Sequence, residues 1–411
     1  MRRGRESTSE RDASIGIGRQ TAYDHTMQYR QFGELDFRPS ALGFGAMRLP
    51  VLAGPDGKPD YTRIDYPEAS AMLHRAIDGG VNYVDTAWMY HGEQSEAWLA
   101  AALQGGYRER VKIASKMPVW HVQRAGDFDR ILDTQLERLQ TKCIDFYLLH
   151  SLDDVNWRCV LEQGQLASAE AALADGRIGH LGFSFHGRYD LFAEIVATSG
   201  LWEFCQIQLN YMDEEFQAGR RGLELAAGHG LGVIAMEPLR GGMLARHLPP
   251  SVAAAWGEAP VRRSPAEWAL QWVWSLPEVS FLLSGMSTMQ QVEENLTYAA
   301  RSRPGLLSDG ELAAVARVRD LYRELSPIPC TACRYCMPCP HGVAIPEILQ
   351  LYNDAQMYGD VASQRIYYSW LNEDVRAEHC TGCRECEKQC PQEIVVSEWM
   401  ETIQALLGET G

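Results

Sequence analysis

The chain reads as an α/β protein: a (β/α)8 barrel with an N-terminal β-hairpin, followed by a small, mainly α-helical, cysteine-rich domain. Three observations predict this. Eight short runs of apolar, β-branched and aromatic residues recur between positions 41 and 286, near-continuously apolar, as strands are when helices cover a parallel sheet. Helical patterns separate them, several ending in Gly, a common helix stop. Eight of the eleven cysteines fall in two tight clusters beyond residue 329. Eight strand–helix units of this spacing close into a barrel.

In chain order, residues 1–26 are polar, rich in Arg, Ser and Glu, and aperiodic, and are expected to be disordered. They read as an over-extended start; a transit peptide is the alternative, disfavoured by Glu6, Glu10, Asp12 and Asp24. MQYRQFG and LDFRPSA read as two short strands about Gly33-Glu34. The strands that follow are ALGFGAM, VNYVDTA, VKIASK, IDFYLLH, IGHLGFSF, FCQIQLN, GVIAMEP and VSFLLSGM. Between them lie helical patterns such as EASAMLHRAIDGG, DFDRILDTQLERL, LASAEAALADG and SPAEWALQWVWSL. A doubly wound dinucleotide-binding sheet is the alternative; Gly43-Phe44-Gly45 never completes G-x-G-x-x-G, and no acidic residue follows at the required distance. This divides the chain into a barrel at 27–301, a helical linker at 302–329 and a cysteine-rich domain at 330–411.

At 411 residues two domains are expected, and the net charge of −16 argues against nucleic-acid or anionic-membrane partners. No apolar run approaches the ~20 residues of a membrane helix. From Cys330 onward 5 Lys/Arg face 12 Asp/Glu, a net of −7 that would suit a basic docking partner. Clustered cysteines behind an N-terminus without an apolar signal core indicate metal in a reducing compartment, the cytoplasm, rather than disulfides.

Candidate chemistry centres on VNYVDTAWMYHGEQSE, which sets Asp85 and Tyr90 where a strand ends. Two later strands end in Lys116 and His150. Four ionisable groups of different kinds at C-terminal strand ends can converge on the mouth of a barrel. Singly, each has an ordinary reading as helix cap, packing or surface. In this order they resemble the Asp–Tyr–Lys–His tetrad of the aldo-keto reductase superfamily of TIM barrels, over roughly residues 27–301. The resemblance implies NAD(P)H-linked reduction of a small aldehyde or ketone, with the N-terminal hairpin plugging the barrel. Tyr90 would be the proton donor, and Lys116, held by Asp85, would bring its pKa down from ~10. His150 would orient the carbonyl oxygen.

The same resemblance implies a cofactor across the barrel mouth. Ser184 and Gln206 would hold the nicotinamide amide and Met236 would lie under its ring, with Pro238 and Leu239 near the phosphates. The segment SGMSTMQQVEEN would take the adenosine through Gly285, Ser287, Gln291, Glu294 and Asn295. None of these ligands lies beyond Asn295. Three positions depart from the family pattern. Phe185-His186 stand where Asn usually follows the Ser. Met236 replaces an aromatic ring. Gln291 replaces the Arg that many members pair with the 2′-phosphate of NADP, which leaves NAD against NADP open. Trp88, Trp120 and Trp157 would supply an aromatic substrate wall, with core packing as the alternative.

Cys330, Cys333, Cys336 and Cys339 follow C-x2-C-x2-C-x2-C-P, and Cys380, Cys383, Cys386 and Cys390 follow C-x2-C-x2-C-x3-C-P. Such runs resemble bacterial ferredoxins, in which the fourth Cys of each motif serves the other cluster. That implies one 4Fe–4S cluster on Cys330, Cys333, Cys336 and Cys390, and another on Cys380, Cys383, Cys386 and Cys339. A single cluster is the alternative, since the first motif is one residue short before Cys339. Zinc normally draws on separated C-x2-C pairs. Cys143, Cys159 and Cys205 read as barrel packing. The whole chain thus resembles aldo-keto reductases that carry a C-terminal 4Fe–4S ferredoxin-type domain, for electron transfer with a redox partner protein or, since hydride moves two electrons and a cluster one with no flavin motif between them, as structural or sensory groups. The rival is a non-catalytic redox-sensing or electron-transfer subunit on the same barrel.

Overall fold

The computed structural model of the chain describes residues 26–408 other than 56, 58, 247 and 331–333. The expected N-terminal disorder, save Thr26, and Cys333 lie outside the described residues. The strands, in order, are β1 (Leu42–Gly45), β2 (Val51–Ala53), β3 (Pro59–Ile64), β4 (Tyr83–Asp85), β5 (Lys112–Met117), β6 (Ile144–Leu152), β7 (Ile178–Phe185), β8 (Phe204–Gln208), β9 (Gly232–Met236) and β10 (Phe281–Ser284). β1 and β4–β10 form one closed parallel barrel, in which β1 pairs with both β10 and β4. Each of the eight anticipated strands is present.

The intervening helices form where local chemistry directs. The helix Tyr66–Asp78 opens on Asp65, whose side chain accepts from the Glu68 amide, and carries Pro67 in its first turn. Pro265–Ser275 opens on Ser264 in the same way and is buried along most of its length, Trp268 and Trp274 fully so. Met289–Ala300 is capped by Thr288.

The N-terminal hairpin is reduced to two bridges, Tyr29–Ser40 and Phe32–Leu35. Its tip closes the bottom of the barrel. Phe32 is fully buried among Tyr83, Phe146, Phe204 and Phe281, with ring centroids 5.3–6.5 Å away. That burial contributes ~1.5–3 kcal/mol. It also requires Gly232, where a Cβ would stand 2.1 Å from the Phe32 ring.

A second hairpin, β2–β3, lies between β1 and the first helix, in a stretch not anticipated as strand. It braces the loop after β4: His91 Nδ1 is 2.9 Å from the Tyr61 carbonyl oxygen.

Beyond the barrel helices, Asp309–Glu324 starts with a capping box of Ser308 and Glu311. Although it falls in the stretch read as a linker, Val315, Val318 and Tyr322 belong to the barrel's hydrophobic core, and Glu311 pairs with Arg263 at 2.5 Å. The cysteine-rich region is helical, with Ile345–Tyr358, Val361–Ser369 and Val396–Leu407 around a small core that includes Ile348, Leu349, Tyr368, Met400 and Ile403. Cys330, Cys336, Cys339, Cys380, Cys386 and Cys390 pack against that core. Met357 and Tyr358 instead join the core of the barrel, so the tail is docked on it. Among the described residues no helix is long and apolar enough to cross a membrane.

Candidate active site

Parallel pairing sets β4, β5 and β6 side by side, and their C-terminal ends carry Asp85, Lys116 and His150. Tyr90 follows on the loop after β4, where its amide donates to the Ala87 carbonyl at 3.2 Å. Lys116 Nζ donates to Asp85 Oδ1 at 2.6 Å, to the Thr86 carbonyl at 2.8 Å and to Tyr90 Oη at 3.3 Å. The rings of Tyr90 and His150 meet edge to face at 6.3 Å. All four sequence-predicted residues therefore share one site.

Its electrostatics follow from burial. Desolvation pulls the Lys116 ammonium down, but Asp85 and Tyr90 together outweigh it, so its pKa is raised and the lysine is charged. Desolvation raises Asp85, with Lys116 working against it. Tyr90 departs from expectation. Lys116 does pull its phenol down, but burial and the Asp85 charge push harder, and the net direction is up. Desolvation also depresses His150 far below the usual imidazole range, with Lys116 adding to it, so the ring is neutral.

A polar network not foreseen from the sequence steadies β5. The buried Glu96 accepts from Ser115 Oγ at 2.5 Å and from Gln135 at 2.6 Å, and Gln135 also donates to the Lys116 carbonyl. Of the three tryptophans, Trp120 stands beside the site, 5.4 Å from the His150 ring. Trp157 is buried and donates to Glu194, and Trp88 is stacked under the Arg138 guanidinium.

The candidate cofactor residues occupy the rest of the mouth. Ser184 and Gln206 are register partners on β7 and β8; Met236 ends β9, with its Sδ 3.4 Å from Gln206 Nε2. Ser184 Oγ accepts from the Ser151 amide, and Gln206 Oε1 is buried without a partner among the described residues. Pro238 and Leu239 follow β9 in the adjoining loop. Gly285 and Ser287 follow β10, where the Ser287 amide donates to Gln291 Oε1 at 2.8 Å. Gln291 is exposed, Glu294 accepts from Gln290, and the buried Asn295 donates to Ser284 Oγ.

Two groups at this mouth were not anticipated. Arg48, after β1, pairs with Glu237 at 3.0 Å and donates to Tyr367 Oη of the tail at 3.1 Å. Arg240 pairs with Asp213 at 3.2 Å and with Asp354 of the tail at 2.9 Å. Only the position of Arg48 just past a strand's C-terminal end could have marked it.

In the tail, Cys330, Cys336 and Cys390 line one cavity with Ile345, Pro346, Leu349, Ile394 and Val396. The Cys386 thiol lies close enough to Cys336 and Cys339 to feel their charge. Cys143 and Cys159 are half-buried in the barrel and Cys205 is fully buried.

Known proteins agree with this architecture. The Aldo/keto reductase family model matches residues 41–318, and a 4Fe-4S dicluster domain matches 329–396. An L-galactose dehydrogenase of Arabidopsis thaliana is 24% identical over 296 residues, covering 66% of this chain and 87% of its own. An aldo-keto reductase of Bacillus halodurans in its holo form superposes with a TM-score of 0.58 at 24% identity, covering 71% of this chain and 96% of its own. One from Klebsiella pneumoniae, in complex with NADP and acetate, does so with a TM-score of 0.56 at 24% identity, covering 71% and 95%. With its closed parallel barrel and its cysteine-rich helical tail, the chain belongs to the aldo/keto reductase family and carries a 4Fe–4S domain.

Proposed function

We propose that the protein is an NAD(P)H-dependent oxidoreductase that reduces an aldehyde or ketone, with Tyr90 as proton donor, and that its tail holds two 4Fe–4S clusters. The observation that carries this reading is the chain of contacts from the buried Asp85 and Lys116 to the half-buried Tyr90, at 2.6 and 3.3 Å. When bound, the nicotinamide supplies the hydride. Tyr90 holds the proton at Oη, ready for the carbonyl oxygen. The charged Lys116 stabilises the phenolate left behind, and Asp85 keeps that ammonium in place. Burial raises the phenol, so Lys116 must act against desolvation; without it the phenolate would be costlier still. His150, being neutral, can donate a ring N–H to the carbonyl oxygen without carrying charge into the site.

The fit to a nicotinamide nucleotide rests on Gln206, whose buried Oε1, unpartnered among the described residues, can accept from a carboxamide, beside Ser184 and Met236. Pro238, Leu239, Gly285, Ser287, Gln291, Glu294 and Asn295 would take the phosphates and adenosine. Gln291 offers no cation for a 2′-phosphate, although the Klebsiella pneumoniae relative is a complex with NADP. The cavity lined by Cys330, Cys336 and Cys390 supports the crossed ligation; Cys333, which lies outside the described residues, would be that cluster's fourth ligand. Cys380, Cys383, Cys386 and Cys339 would hold the other. Thiolate ligation of iron suits the reducing cytoplasm, and the clusters would exchange electrons with a redox partner protein.

The test is NADH and NADPH oxidation by anaerobically purified protein against a panel of aldehydes and ketones. Turnover of at least one carbonyl supports the reading. Tight nucleotide binding with no turnover across the panel would favour a non-catalytic barrel.

A further inference from the structure

Arg48 lies between the candidate adenosine segment, the loop after β9 and Tyr90. Its backbone carbonyl accepts from Ser287 Oγ at 2.7 Å, and its side chain packs so closely on Gly285 that a Cβ there would stand 3.2 Å away. Across the mouth it pairs with Glu237, which opens the loop of Pro238 and Leu239. On its inner side it is near enough to Tyr90 for its charge to act on the phenol. A group flanked by the adenosine segment, the phosphate loop and the reacting phenol stands where a dinucleotide's diphosphate must pass.

The guanidinium also has donors to spare. Nη2 serves Glu237 and Tyr367, whereas Nη1 meets only Met47 Sδ at 3.7 Å, and Nε has no acceptor among the described residues. A planar fork with free N–H groups is suited to a phosphate.

What holds Arg48 there comes from the other end of the chain. Tyr367 belongs to the tail helix Val361–Ser369, 319 residues away in sequence. The same hydroxyl presses on the phosphate loop: at Gly241, with φ +68°, a Cβ would stand 2.7 Å from it. Further along that loop, Arg240 is held by Asp354 and by Tyr358 Oη at 3.0 Å. Two of the loops flanking the nucleotide site are thus tied to the iron–sulfur domain.

We propose that Arg48 binds the diphosphate of the nucleotide and that Tyr367 of the tail is its positioning residue, so that the iron–sulfur domain completes the nucleotide site of the barrel. This rests on the nucleotide reading above, and places one determinant of affinity beyond Asn295, outside the barrel. Damage to the clusters would then weaken nucleotide binding even though no cysteine touches the nucleotide.

The test uses full-length, iron-loaded protein and three probes: NADPH, inorganic pyrophosphate and AMP, which lacks a diphosphate. Tyr367→Phe keeps the ring and removes one hydrogen bond to a cation. It should weaken NADPH and pyrophosphate about threefold to tenfold, at unchanged iron content and with kcat nearly unaltered. Arg48→Gln should weaken both by about tenfold or more and leave AMP unchanged, whereas Arg48→Lys, which keeps the charge, should recover part of the loss. The double variant should be no worse than Arg48→Gln alone, because Tyr367 acts through Arg48. Wild-type affinity in iron-replete Tyr367→Phe would overturn the proposal, as would losses that multiply in the double variant or an equal effect on AMP. Arg48-dependent pyrophosphate binding in a protein that takes neither NADPH nor NADH would instead sink the reductase reading and leave the anion site standing.

Discussion

Replacing Lys116 by Met removes the one cation among the described residues that touches the Tyr90 hydroxyl and keeps the volume of the stem. Nζ stands 3.3 Å from Tyr90 Oη in a site where the lysine is 1% exposed. At an effective dielectric constant of ~20, a full charge at that distance stabilises a phenolate by about 5 kcal/mol. At ~1.4 kcal/mol per pKa unit this is roughly three to four units. Asp85, already raised by burial, loses with Lys116 the charge that holds its carboxyl down, so its pKa is pushed further up. Two consequences follow for catalysis. Carbonyl reduction should fall by ~10² or more, since the donor's conjugate base is no longer stabilised. In the reverse direction, alcohol oxidation needs the phenolate, so its rise toward the alkaline end should move up and out of the measured range. Steady-state kinetics from pH 6 to 10.5 in both directions, with nucleotide affinity measured alongside, separates these effects from simple loss of binding. A fall of less than about threefold with an unshifted limb would show that Lys116 does not govern the phenol, and the Asp85–Lys116–Tyr90 reasoning would be refuted.

The second prediction is that Gln291→Arg shifts preference from NAD toward NADP by about tenfold, by giving a 2′-phosphate a cation; an unchanged ratio in titrations of both nucleotides would mean that the helix Met289–Ala300 does not face the adenosine. The third concerns pH. Burial pushes Asp354 up to about 6, against the pull of Arg240 and with Asp213 adding to the rise. With the folded value above the unfolded one of ~3.9, its contribution to stability is complete below pH ~4 and is lost as pH rises through about 6, by roughly 3 kcal/mol. Thermal unfolding between pH 5 and 7.5 should therefore fall less steeply in Asp354→Asn than in wild type, and equal slopes would contradict the assignment. The fourth is that anaerobic protein holds ~8 iron atoms, two cubanes of four, and that Cys383→Ser loses about half of them and loosens the region after Cys330. Four irons in wild type would mean one cluster, and zinc in their place would overturn the ferredoxin reading.

The barrel was legible in the sequence because parallel strands and their covering helices each leave a local pattern, and the convergence of Asp85, Tyr90, Lys116 and His150 was legible because three sit at strand ends and Tyr90 on the loop that follows one. The β2–β3 hairpin was not. Its residues are largely exposed, so no apolar alternation marked them, and only the Gly54–Gly57 turn signalled a reversal. The helix Asp309–Glu324 was recognised from its period, but the fact that Val315, Val318 and Tyr322 face the barrel core depends on tertiary packing. The direction of the Tyr90 shift was missed because the sequence displays the lysine charge but not the burial that outweighs it. Least legible of all was the docking of the tail. Arg48 and Arg240 find Tyr367 and Asp354 across 319 and 114 residues, and no local spacing encodes such pairs.

The central claim, that the Asp85–Lys116–Tyr90–His150 constellation reduces a carbonyl by proton donation from Tyr90, is tested most directly by Tyr90→Phe. This variant keeps the ring and deletes only the hydroxyl that meets Lys116. Single-turnover reduction of the best substrate from the carbonyl panel, with saturating nucleotide and oxygen excluded, should be slower by ~10² or more while nucleotide affinity stays within about twofold of wild type. Near-wild-type reduction by Tyr90→Phe would contradict the account.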